Sequence, residues 1–311
     1  MPTSQDRVAG GLVGLLVGDA LGVPYEFHPP EAIPAPGLIE FSPPEGFARS
    51  HAHVPPGTWS DDGAQALALL ASLLERGHLD PDDLARRLVA WYTQGYMAVD
   101  FTVFDVGIQT AKAVQRIMGG VRALEAGGAG ERDNGNGSLM RVLPLALWHR
   151  GTDAELVRDA QLQSLITHAH PRAQVCCALY CLWARRTLQA HPEPWGAAVA
   201  ALRAMYPEGS PERGELETHV RPDDPPKGGG SGYVVDTLHS ARWALQADSY
   251  EAVVKRAVSL GHDTDTTACV AGGIAGIRHG LEGIPSRWRE ALRGRELYEG
   301  LLRRLVERAS S

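Results

Sequence analysis

Apolar positions recur at helical spacing over Ala64 to Glu75, Asp82 to Tyr92, Gln109 to Ile117, Ala173 to Leu188 and Ala268 to His279. That three-and-four rhythm lays one apolar stripe along a helix. The strict alternation of a half-buried strand is nearly absent. Pro81 ahead of Asp82 and Asp83 is a helix-start signal, because proline has no N–H to leave unpaired in a first turn and carboxylates suit the positive end of the helix dipole. The pattern predicts an all-α protein built of many short helices. Three stretches interrupt it, Pro29 to Pro56, Glu125 to Gly137 and Pro207 to Gly232, all rich in Pro and Gly. They exceed ordinary helix connections, and loops of that kind in a compact domain carry function or motion. No repeat on the scale of a solenoid unit is evident, so a solenoid is not expected, and the length alone leaves one large domain or two ordinary ones open.

Two of the helical stretches are crowded with small residues: Gly10, Gly11, Gly14, Gly18 and Gly22 in the first, and Ala271, Gly272, Gly273, Ala275 and Gly276 in the last. Each interior glycine costs a helix about 1 kcal/mol relative to alanine, so backbones are expected to approach closely there. The same spacing suits helix pairing in a membrane. Asp19 and Glu26 interrupt the apolar opening, no clear leader-cleavage site follows it, and no apolar run is expected to reach bilayer-spanning length. A cytoplasmic protein without a membrane partner is the expectation.

The chain has 311 residues, of which 44% are hydrophobic, enough to bury a substantial core. Its 30 Lys+Arg against 37 Asp+Glu leave a net charge of −7. With no basic block to meet phosphates, stable nucleic-acid binding is not expected. Three of the four cysteines, Cys176, Cys177 and Cys181, crowd one apolar helical stretch, and Cys269 lies in another. They read as small core residues of a reducing compartment, with neither a C-x-x-C pair nor a disulfide framework.

Candidate chemistry is concentrated in two acidic clusters far apart in the chain, Ser60-Asp61-Asp62 and Asp263-Thr264-Asp265-Thr266. Carboxylates and hydroxyls in a tight turn form the oxygen-only donor set preferred by hard divalent cations such as Mg²⁺ or Mn²⁺. Each cluster taken alone is also a good helix cap with an acidic first turn. If the fold brings them together, each like-charge pair about 4 Å apart costs roughly 1 to 4 kcal/mol unless a cation intervenes. Neither a dinucleotide-binding Gly-x-Gly-x-x-Gly after a strand, nor a phosphate-binding P-loop, nor a Gly-x-Ser-x-Gly elbow is present.

The clusters belong to a longer series: Gly14-Leu-Leu-Val-Gly18-Asp19-Ala20-Leu21-Gly22-Val23-Pro24-Tyr25-Glu26, Gly57-Thr-Trp-Ser60-Asp61-Asp62 and Asp105-Val-Gly107-Ile-Gln-Thr110, then Asn134-Gly135-Asn136-Gly137-Ser138-Leu-Met140-Arg141, Thr167-His168-Ala-His170, Ser231-Gly232-Tyr233 and Gly261-His-Asp263-Thr-Asp265-Thr266. In this order they resemble the ADP-ribosylglycohydrolase family, which includes the dinitrogenase-reductase-activating glycohydrolases, almost end to end. The resemblance implies a single domain over residues 1–311, a compact orthogonal helical bundle holding two Mg²⁺ or Mn²⁺ ions between helix ends. Carried over by position, Ser60, Asp61, Asp62, Asp263, Asp265 and Thr266 look like the metal ligands. Ser60 stands where threonine is commoner, and its hydroxyl offers the same oxygen.

The activity implied is hydrolysis of the bond between ADP-ribose and an acceptor, a protein side chain or a small conjugate. Catalytic carboxylates are then expected among Glu26, Asp61, Asp105 and Asp263, and which one acts as acid or base stays open. Asn134, Gly135, Asn136, Gly137 and Ser138 would cradle a diphosphate, glycines letting successive N–H groups turn toward an anion, although Asn-Gly sequences also make plain turns. His168 is expected near the ribose or phosphate, and Tyr233 against adenine or the distal ribose. Alternatives are a non-catalytic scaffold on the same fold, like the jellyfish lens crystallins that resemble the family, and a two-metal phosphoester hydrolase. The acceptor is not encoded legibly in loops 29 to 56 and 207 to 232. A monomer is expected, since no heptad run asks for a partner.

Overall fold

The computed structural model describes residues 2–310 of the chain. Its centre is a pair of helices from opposite ends of the sequence, α1 (Ser4–Gly22) and a late helix, Thr264–His279, packed antiparallel. A Cβ on Gly14 would stand 2.5 Å from the carbonyl oxygen of Gly272, and one on Gly272 equally 2.5 Å from that of Gly14. Gly10 faces Gly276, Gly18 faces Ala268 and Gly22 faces Asp265 in the same backbone-on-backbone manner. The small residues therefore form one seam, where hydrogen atoms in place of methyls let two helices approach closely. Thr264 Oγ1 donates to Gly22 O at 2.8 Å, and Tyr250 OH donates to Gly14 O at 2.7 Å. These bonds fix the register and put the last turn of α1 beside the first turn of the late helix.

Between them the chain lays down α2 (Asp61–Arg76), α3 (Pro81–Gln94), α4 (Ile108–Met118), α5 (Leu143–Trp148), α6 (Asp153–Leu165), α7 (Pro171–Leu188), α8 (Pro194–Met205), α9 (Pro211–Glu215), α10 (Val234–Ala244) and α11 (Tyr250–Val258). The late helix is α12, and α13 (Ser286–Ala291) and α14 (Arg295–Ser310) follow. The termini follow local chemistry. Ser60 and Asp80 cap α2 and α3 through their side chains, and Gly77 and Gly95 close them at φ 73° and 70°. Thr152 and Glu155 make a reciprocal capping box on α6. No strand occurs among the described residues, only isolated bridges pairing Gly128 with His168 and Gly135 with Tyr233. One apolar core, including Leu16, Trp91, Tyr180 and Ile277, runs through most of the helices.

Two expectations need correction. The stretch from Pro207 to Gly232 is not irregular throughout: it holds α9 and a π-helical turn, Leu216–Val220. The opening segment Ser4–Tyr25 is long and apolar enough to cross a bilayer by length and composition. Its most apolar window is wholly buried inside the protein, with the glycine seam as the reason. The four cysteines are free and buried, as core residues should be.

Candidate metal centre and cleft

Asp19, in the last turn of α1, has no exposed surface. Its carboxylate accepts the Ser60 N–H at 2.9 and 3.1 Å and the Gly63 N–H at 2.8 Å. A side chain from one helix thus pairs the open amides at the start of another. Burial pushes the Asp19 carboxyl up to about 7 against the pull of those amides. The α2 turn so held points Asp61 and Asp62 at the first turn of α12. There Thr266 Oγ1 donates to Asp62 Oδ1 at 3.3 Å, so the two acidic clusters meet.

The remaining carboxyls close in from other segments. Glu26, 3% exposed, follows α1. Asp105 adopts φ 53° two residues before Gly107, the N-cap of α4, and its carboxyl lies against Glu26 and Asp265. Donor atoms of Glu26, Asp263 and Asp265 all lie within 4.8 Å of one another. Asp263 Oδ2 accepts Asn136 Nδ2 at 2.8 Å, and the same amide donates to Thr237 Oγ1 at 2.9 Å. Asp61 Oδ2 accepts Gln65 Nε2 at 3.1 Å, and Gln65 Oε1 accepts Arg141 Nη1 at 3.0 Å. Arg141 is completely buried and braced by Gln163. It is a lone guanidinium behind the cluster, brought down to about 10 by burial.

The electrostatics are lopsided. Burial and mutual repulsion push Asp61, Asp62 and Asp265 well above the ordinary carboxylate range; they push Glu26 up to about 11 and Asp105 up to about 6. Among the described residues no lysine or arginine makes an ion pair with any of them. Asp62 Oδ2 and both oxygens of Asp265 are buried with no hydrogen-bond partner. Orphaned buried carboxylate oxygens are strongly unfavourable unless a cation completes them. The donors are all oxygens at this point, so the residues fit a hard divalent cation.

A cleft of about 750 Å³ opens over the cluster, within the size range of small-molecule sites. One end is lined by Glu26, Asp61, Asp105, Asp263 and Thr266, the other by residues 134–137, His168 and Tyr233. The far loop is rigidly pinned: Asn136 N donates to Gly232 O at 3.1 Å, Val234 N to Asn134 O at 3.0 Å, and Gly135 N to Gln109 Oε1 at 3.0 Å. The amides of Gly135 and Asn136 are therefore engaged inside the protein and are not free to meet an anion. A Cβ on Gly137 would stand 2.8 Å from His168 Cε1, so glycine lets the loop pass over the imidazole. His168 is brought down to about 3, chiefly by burial and then by Arg141, and stays neutral; its Nδ1 lies 2.8 Å from Thr167 Oγ1. Tyr233, 38% exposed, accepts Arg172 Nη1 at 3.3 Å on its hydroxyl.

Of the residues singled out in the sequence, Ser60, Asp62 and Asp265 lie in the acidic cluster beneath the cleft without lining it, and Ser138 lies away from both. Its hydroxyl is buried against Ser164 Oγ at 2.8 Å and Cys177 Sγ at 3.4 Å. Ser60 lies at the cluster as the α2 cap, its Oγ accepting Asp62 N at 3.3 Å. Sequence reasoning did not assign roles to Asp19, Gln65, Arg141 or His51. Asp19 and Arg141 stood inside conspicuous motifs, while nothing local distinguishes His51 among the 12 histidines.

A helical protein that gathers six carboxyls beneath a nucleotide-sized cleft has the oxygen donors of a candidate metal site. Its lineage is narrower: the ADP-ribosylglycohydrolase family description matches residues 1–311, and the chain belongs to that family of glycosidic-bond hydrolases. It is 30% identical over 98% of its length to an ADP-ribosylarginine hydrolase of Pseudomonas putida, covering 79% of that protein. It is 31% identical to the ADP-ribosyl-[dinitrogen reductase] glycohydrolase of Rhodospirillum rubrum, covering 92% of this chain and 90% of that one. A solved ADP-ribosylglycohydrolase-related protein complex superposes with a TM-score of 0.78 at 32% identity, covering 98% and 99% of the two chains.

Proposed function

We propose that the protein is a metal-dependent ADP-ribosyl hydrolase that releases ADP-ribose from a modified protein side chain or small conjugate, using two Mg²⁺ or Mn²⁺ ions. The observation that carries this reading is the set of unpartnered buried oxygens on Asp62 and Asp265 where two distant acidic clusters meet under the cleft. Ser60, Asp61, Asp62, Asp263, Asp265 and Thr266 would hold the ions, which when bound polarise vicinal ribose hydroxyls and acidify a water.

The chain's own residues supply the rest. Asn136 holds Asp263 in place, and Gln65, backed by Arg141, holds Asp61. Positive charge developing at the anomeric carbon is met by the surrounding carboxylates. Asp105, at the half-open side of the cluster, is placed to exchange a proton with the leaving group, and such help is worth about 10² to 10⁴-fold. The cleft runs away from the cluster to the Gly137 turn, His168 and Tyr233, which suits a diphosphate and base extending from a ribose held at the acidic end. The names of relatives include arginine-linked and dinitrogen-reductase-linked ADP-ribose. A panel of defined ADP-ribosyl conjugates, incubated with Mg²⁺ and then Mn²⁺ and followed by mass, tests the function. Release of free ADP-ribose that stops on chelation is expected; release of inorganic phosphate instead would replace this reading with phosphoester hydrolysis.

A further inference from the structure

His51 belongs to the Pro29–Pro56 loop and to none of the motifs, yet its Nε2 lies 2.6 Å from Glu26 Oε2. Donor atoms of Glu26, His51 and Asp105 fall within 4.8 Å of one another, so Glu26 is shared between this group and the Asp263–Asp265 group. A carboxylate has two oxygens. With one engaged by the imidazole, the other is left for the acidic centre.

The surroundings over-determine that arrangement. Ser50, next in the chain, donates from its N–H to Pro24 O at 2.9 Å and from its hydroxyl to Glu26 O. The His51 ring packs between Phe104, at 5.0 Å, and Phe27, at 5.7 Å between centroids. Phe27 N donates to His262 O at 2.6 Å and His262 N to His28 O at 2.7 Å, tying the Glu26 turn to the residue preceding Asp263. Of the nine non-glycine residues with positive φ among the described residues, Phe27, His51, Asp105 and His262 all flank this spot. Each such conformation costs on the order of 1–3 kcal/mol and persists only where neighbours enforce it.

We propose that His51 is a positioning residue that holds the Glu26 carboxyl, through one oxygen, in a single orientation at the mouth of the metal centre. The inference rests on the centre described above, and its test reads cation binding, which needs no substrate. Mn²⁺ titration followed by EPR of the free ion compares wild type, H51A, H51Q, E26Q and the H51A/E26Q double variant. A hydrogen bond to a charged group corresponds to roughly a tenfold effect, so H51A should weaken Mn²⁺ binding by about that factor. The glutamine amide can donate in place of Nε2, and H51Q should recover most of the loss. In the E26Q background H51A should change binding less than about twofold, because contacting residues are non-additive. Unchanged binding in H51A, or losses that simply add in the double variant, would overturn the proposal. Melting in EDTA checks that H51A folds, and if it does not, H51N, whose amide stops short of the Nε2 position and which tolerates the positive φ at residue 51, against E26Q/H51N carries the same comparison. If the ADP-ribosyl panel yields no product while the Mn²⁺ cycle is non-additive, the glycohydrolase reading falls and the His51 inference stands.

Discussion

Asp265 has two buried oxygens and no partner for either. In protein stripped of cations, such a carboxyl is tolerated by holding a proton, and its raised pKa is a stability statement. The sign follows from proton counting. Asp19 at about 7 and Asp105 at about 6 lie above the ordinary 3.8 of an aspartate, and burial raises Asp265 too, so the folded state binds more protons than the unfolded one across that interval. Their contribution is complete below about pH 4 and is lost as pH rises through 6 and 7, at about 1.4 kcal/mol per pH unit for each excess proton. The gap in Tm between Mn²⁺-loaded and chelated protein should therefore widen from pH 4 to pH 8; a constant gap would show that these groups are not buried acids. Asp265→Asn removes the charge and keeps the shape. It should raise the stability of chelated protein at pH 7.5 by on the order of 1 kcal/mol or more, because folding then requires neither a buried charge nor the uptake of a proton, and abolish the Mn²⁺-induced shift in Tm. Thermal melts with and without EDTA read both. Lowered stability in EDTA would mean that Asp265 has a structural partner instead. Asp61, Asp62 and Asp265 were legible as candidates because their neighbours in sequence also carry oxygen donors. Asp19 and His51 were not, because each acts on a residue dozens of positions away that only folding brings near.

Among the elements, the longest periodic segments were the most legible. Ala173 to Leu188 and Ala268 to His279 recur almost unchanged in α7 and α12, since a sustained stripe has one way to be buried. The short α9 and its π-helical turn escaped notice because a five-residue helix between prolines carries no periodicity to read. The seam between α1 and α12 was foreshadowed by glycine content, yet their pairing with each other was a tertiary fact. That seam makes a sharp contrast between two glycines. Gly14→Ala places a methyl 2.5 Å from the Gly272 carbonyl, whereas Gly300 in α14 is exposed with nothing near its would-be Cβ. Forcing the first should cost about 1–3 kcal/mol by overpacking, and Gly300→Ala should stabilise by up to about 1 kcal/mol. Because α1 carries Asp19 and α12 carries Asp265, Gly14→Ala should also weaken Mn²⁺ binding while Gly300→Ala leaves it alone. Urea unfolding and cation titration of the two variants check this; equal stability in both would mean the helices slide apart without strain.

For the whole molecule, the acidic cluster joins elements from both ends of the chain, so a cation bound there would be linked to global folding. Ligands specific to the native state stabilise it by RT ln(1 + [L]/Kd), with no plateau as concentration rises. Once sites are filled, every tenfold increase in free Mn²⁺ adds about 1.4 kcal/mol for each ion released on unfolding. The slope of unfolding free energy against log [Mn²⁺] therefore counts ions without any assay of turnover. A centre built on Asp61, Asp62, Asp263 and Asp265 around two ions should give about 2.7 kcal/mol per decade, and a single ion half of that. The urea m-value should stay fixed over the series, because the same surface is exposed on unfolding whatever fills the site. A slope near zero at millimolar Mn²⁺, with chelated and loaded protein unfolding together, would mean that the meeting carboxyls are neutralised by protons alone, and the non-catalytic scaffold would become the better account of this fold.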